Sequence, residues 1–83
     1  MTVATALLYD KMEQFKSASP GSPLWTNGDG SDRVMQDGTY LREWHIGMGV
    51  PRPVTVIVYI QSGALTRRQT ELIRATTLTS PSF

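Results

Sequence analysis

The sequence predicts an α+β domain: a small three-stranded antiparallel sheet flanked by an N-terminal and a C-terminal helix, in the order α-β-β-β-α. Three observations carry that expectation. Ala4, Leu8, Met12 and Phe15 recur at helical spacing. Asp37-Gly38 separates two β-prone runs. Val54 to Gln61 is a strand-length apolar run, followed by a Thr66…Gln69 pattern that reads as a helix start.

The first helix is expected over Val3 to Lys16. The Thr2 hydroxyl is placed to cap it, and Leu7 widens the apolar stripe. Asp10, Lys11, Glu13, Gln14 and Lys16 fall largely on other faces. The Ser17–Pro23 segment contains two prolines and a glycine and ends the helix. Leu24 and Trp25 then form a short strand or a packed loop anchor. Asn27-Gly28 and Asp29-Gly30 are turn dipeptides, because glycine accepts a positive φ there. The acidic residues around them lack the glycine and the glutamate that a calcium loop requires at its sixth and twelfth positions.

Arg33 to Gln36 and Thr39 to Met48 flank Asp37-Gly38 as a hairpin with a two-residue turn. In the second run Tyr40, Arg42, Trp44, Ile46 and Met48 share the core face, and Thr39, Leu41, Glu43 and His45 the other. Pro51 and Pro53 end it. Val54 to Gln61 is apolar on nearly both faces, the pattern of a strand central to its sheet. With the helices packed on one side, Ile57 and Tyr59 lie on the open side. The second helix is expected over Arg67 to Thr76, with Leu72, Ile73 and Thr76 toward the sheet and Arg67, Arg68 and Arg74 outward. Residues 1–76 form the domain, and 77–83 a Thr/Ser-rich tail.

Eighty-three residues suit one domain with a thin core. No cysteine is present, so neither a disulfide nor a cysteine-based zinc site supports it. Charged residues make up 18% of the chain, and the net charge is +1, too small to steer it to polyanions by bulk field. Arginine outnumbers lysine six to two, a balance that suits interfaces. Neither a leader pattern nor a membrane-length apolar run is visible. The expected setting is a soluble protein, cytoplasmic or in a virion.

For chemistry, His45 is the only imidazole, and Glu43 shares its side of the strand. That pair, with an unplaced Ser or Thr, is the one route to a small enzyme or inhibitor. Gly47-Met48-Gly49 lacks the lysine of a phosphate loop. No catalytic set, cofactor or metal is expected.

Arg67 and Arg68 at the start of the last expected helix, together with the α-β-β-β-α order, resemble the double-stranded RNA-binding domain family. That resemblance implies recognition of A-form shape and phosphates through the basic helix start. The next residues, Gln69, Thr70 and Glu71, depart from the family's basic run.

The reading that accounts for most features is a non-enzymatic protein–protein interaction module of an oligomeric assembly, such as a small structural or connector part of a phage particle. Trp25, Ile57, Tyr59, Arg67, Arg68 and Arg74 are its candidate interface residues, since tryptophan, tyrosine and arginine are enriched in binding hot spots. The partner is a protein, in a homo-oligomer or a larger assembly. Nucleic acid is the second choice, and no membrane is expected.

Overall fold

A computed structural model describes residues 2–62 and 68–79. Its elements are α1 (Val3–Ser17), α2 (Pro23–Thr26), β1 (Gly30–Met35), β2 (Thr39–Ile46), β3 (Arg52–Ser62) and β4 (Arg68–Thr79). The four strands form one antiparallel sheet in chain order, β1-β2-β3-β4. Among the described residues, α1 is the only long helix, and it lies mainly over β3 and β4.

The helix is built as its sequence dictates. Thr2 Oγ1 accepts from the Thr5 amide at 3.2 Å and caps the first turn. Ala4, Leu7, Leu8, Met12 and Phe15 are all buried, with Phe15 fully so. They meet Val54, Val56 and Val58 of β3, alternate residues that point to one side of the sheet. Trp25 closes the core from α2, edge-on to Phe15 at 5.2 Å between ring centres. Leu24 and Trp25 are thus in a helical turn, capped by Ser22 with Pro23 at its start, and not in a strand. The β1–β2 connection spans three residues, Gln36 to Gly38, with Met35 opposite Thr39; Asp37 takes a positive φ of 53°. Met48 lies beyond the end of β2 and is exposed.

The expected C-terminal helix is a strand, so the sheet has four strands and one flank of helix. Three observations account for this correction. The segment is rich in β-branched residues (Thr70, Ile73, Thr76, Thr77 and Thr79), which lose rotamer freedom in a helix and suit a pleated surface. Its burial also alternates: Ile73, Ala75, Thr77 and Thr79 are half-buried, whereas Arg74, Thr76 and Leu78 are exposed. A strand apolar on both faces also requires a neighbour on each side, which β3 finds in β2 and β4. Thr77–Thr79, expected in the tail, belong to β4. The capping pattern at Thr66 lies outside the described residues.

The register breaks between Val58 and Tyr59. Val58 pairs with Ile73 and Tyr59 with Glu71, so Leu72 is the extra residue of a β-bulge. The bulge brings Glu71 and Arg74, three apart in sequence, to the same side, where Arg74 Nε donates to Glu71 at 3.0 Å.

One polar cluster sits under the helix. Arg42 is 6% exposed although β2 aims it at the core side. Its guanidinium holds Asp32 of β1 through two parallel bonds and donates to the Leu7 carbonyl at 3.1 Å. Lys11, expected outward, is buried: its ammonium lies 4.1 Å from the centre of the Trp44 ring and donates to Gln14 at 2.9 Å. The aliphatic stem is thus covered while the charge keeps partners.

Candidate interaction surface

The sheet side away from α1 is polar and carries the residues that sequence reasoning linked to chemistry. Glu43 and His45 do share a side of β2, with His45 Nε2 3.7 Å from Glu43. A third group joins them. Asp29 accepts from the Ile46 amide at 2.8 Å and lies 3.2 Å from His45 Nδ1. The amide and the imidazole hold its carboxyl below the usual range. Tyr59 donates to Glu43 at 3.2 Å. Partial burial and the Glu43 charge raise the Tyr59 phenol. His45 Nδ1 bonds to Asp29, whereas Nε2 lies 3.7 Å from Glu43, beyond hydrogen-bond length, on a half-exposed ring. Among the described residues, no serine or threonine hydroxyl bonds to either nitrogen. Among the described residues, no group of three or more possible ligands could hold a metal ion.

These side chains also seal their own strand. Ile57 lies between Glu43 and Arg74 in the register and is 5% exposed, although no described helix covers that side. Thr55 and Thr76 bridge the same strands through their hydroxyls at 2.7 Å. The apolar face expected at Ile57 is therefore already closed within one copy.

Of the other sequence-derived candidates, Trp25 is 5% exposed and serves the core. Tyr59 is half-buried and bonded. Arg74 is exposed but bonded to Glu71, and the pairing holds its guanidinium charged while lowering the Glu71 carboxyl. Arg68 is exposed at the start of β4, and Arg67 lies outside the described residues. The basic helix start behind the nucleic-acid alternative is therefore absent, since Arg68 begins a strand.

A cleft of ≈ 490 Å³ opens between α2 and Trp44, but its one charged lining residue, Asp29, is already engaged. The β2–β3 connection exposes Met48 and Val50 almost completely.

The long free edge is the feature sequence reasoning missed. β4 has twelve residues, and among the described residues no strand pairs with its outer side. Natural edges are blunted by shortness, lysine, proline or a bulge. β1, the opposite edge, has six residues. β4 has its bulge at Leu72, after which Ile73 to Thr79 runs regularly without lysine or proline, Arg74, bonded to Glu71, being its one charge. Leu72 and Leu78 on this edge are exposed large apolar residues. Tyr9 of α1 is a further exposed large apolar residue, at 55%. Leu7, Asp10, Lys11 and Gln14 face the Arg42–Asp32 cluster, so helical geometry puts Tyr9 on the flank toward β4.

No protein-family model, curated protein or solved structure matches this chain. No helix among the described residues is long and apolar enough to cross a membrane.

Proposed function

We propose that this chain is a non-enzymatic protein–protein interaction module that works in an oligomeric assembly. The free edge of β4 is the observation that carries this reading. Seven regular residues offer main-chain donors and acceptors in a row, with Leu78 among them 67% exposed and the bulge residue Leu72 beside them 46% exposed. An edge of this kind adds another strand, with main-chain hydrogen bonds supplying affinity and side chains supplying specificity.

Sedimentation of the purified chain over a wide concentration range, alone and with an extract of its source cells, tests the proposal. Mass above 9.2 kDa is expected in at least one condition. A chain that stays monomeric at high concentration and enters no larger complex in the extract overturns it.

A further inference from the structure

The geometry points to a second copy of this chain as the partner of the β4 edge, paired antiparallel about a two-fold axis at Ala75; the inference rests on the assembly reading and specifies its partner and register. The pattern of β4 is self-complementary about that residue. Exposed Leu72 and Leu78 stand three positions to either side. Antiparallel pairing centred on Ala75 sets Leu72 opposite Leu78 of the other copy, and the reverse. Leu78, Thr76 and Arg74 alternate onto the side away from α1, and Leu72, the exposed bulge residue, stands at the end of this regular run. Directly opposed apolar residues are the favourable unit of sheet pairing, and opposed like charges are the unfavourable one. Here Arg74 meets Thr76 of the other copy, and no two charges of one sign are opposed between Leu72 and Leu78. Moving the axis by one residue to Arg74 would oppose two arginines, and moving it to Thr76 would set each Leu78 against Arg74. Toward α1, Ile73 meets Thr77 and alanine meets alanine at the axis, so no bulky side chain stands between the two helices.

The helices agree with this arrangement. A two-fold axis perpendicular to the sheet keeps both copies of α1 on the same side. Since α1 sits over β3 and β4, and strands are spaced about 4.8 Å apart, the two helices stand on the order of 10 Å apart across the junction, near the spacing of packed helices. Their facing flanks carry Tyr9.

Because the chain has no cysteine, cross-linking reads the register directly. Across an antiparallel pair, opposed Cα atoms lie about 4.5–5.5 Å apart, within disulfide range. Ala75→Cys is expected to oxidise to a covalent dimer at least tenfold faster than Ser31→Cys on the β1 edge, and the unmodified chain to sediment at twice 9.2 kDa. Leu72→Lys/Leu78→Lys, at exposed positions, is expected to keep the wild-type circular dichroism and lose the dimer. A chain that associates while Ala75→Cys cross-links no faster than Ser31→Cys overturns this register and partner surface, but leaves the assembly reading standing. A monomer at every concentration overturns the self-pairing. If that monomer is also captured in no larger complex, the assembly reading falls with it.

Discussion

Arg42 and Asp32 stand opposite each other in the β2–β1 register and close a two-bond ion pair, at 2.8 and 2.6 Å, on the side covered by α1. Arg42 also reaches the Leu7 carbonyl and the Asp10 carboxylate, so one guanidinium ties two strands to the helix. Asp32 in turn holds the Arg42 charge in place despite its burial. Arg42→Met leaves the Asp32 carboxylate and a buried carbonyl without their donor. It is expected to cost about 3 kcal/mol, the low end for a broken buried pair because Asp32 is partly exposed. Arg42→Met/Asp32→Leu should recover part of the loss, since an apolar pair of similar volume removes the Asp32 charge while the buried Lys11 ammonium, 3.8 Å from it, loses that partner. Urea unfolding of the two variants and the wild type checks both expectations.

The same pair contributes to the pH dependence of stability. The Arg42 guanidinium, chiefly through its hydrogen bonds, holds the Asp32 carboxyl below its ordinary value. A carboxyl with a folded pKa below its unfolded one adds stability above the unfolded value, about 3.9 for aspartate, and that stability is lost as the pH falls through the folded value. Unfolding free energy should therefore decline with acid below about pH 4. Asp32→Asn should start lower at neutral pH and decline less steeply, as read by urea midpoints across an acid series.

Gly30 has a steric reason for lacking a side chain. A Cβ there would stand 2.8 Å from the Trp44 indole, and its φ is not positive. Gly30→Ala is expected to destabilise the fold by about 1–3 kcal/mol through overpacking. Gly30→Ala/Trp44→Leu should recover part of that cost, because the obstruction is the ring and not the backbone. Thermal unfolding of the single and double variants separates the two causes.

Tyr59 reports on the polar side of the sheet. Its phenol ionises above the ordinary tyrosine range because of partial burial and then the charge of Glu43. Glu43→Gln removes that charge and should lower the Tyr59 titration without unfolding the sheet. An ultraviolet titration, with Tyr59→Phe as the subtraction, measures the shift.

His45→Ala is a sharper test of the enzyme alternative. Its ring is half exposed and held between Asp29 and Glu43. Exposed pairs of this kind contribute little to stability, so the melting temperature and the oligomeric mass should match those of the wild type. Loss of a measurable catalytic activity in this variant would reverse the functional reading.

Local patterns made α1, its Thr2 cap, the first hairpin and β3 legible in the sequence. Each rests on spacing or turn chemistry within a short window. β4 was not legible in the same way, because Leu72, Ile73 and Thr76 also fit one helical face. What decides it is distant: β3 requires a neighbour on its second side. The Arg42 cluster left one signal, a charged residue among the core-facing positions of β2, but its acid partner follows from strand pairing. Asp29 looked like a turn residue; only the path of the loop brings it to His45. The β4 edge as a candidate surface depended on the same misread segment, so it could not be seen before the strand was.

The order of elements along the chain carries a consequence for synthesis. Each strand finds its partner in the segment just made, so the sheet can grow hairpin by hairpin with little loop entropy to overcome. The helix has no such local partner. Leu8 and Phe15 precede all the strands, yet the surface they cover belongs to β3 and β4, the last two strands in chain order. The nascent chain therefore carries this apolar stripe unburied until β3 and β4 have been made, and this is the interval in which a chaperone would have something to hold.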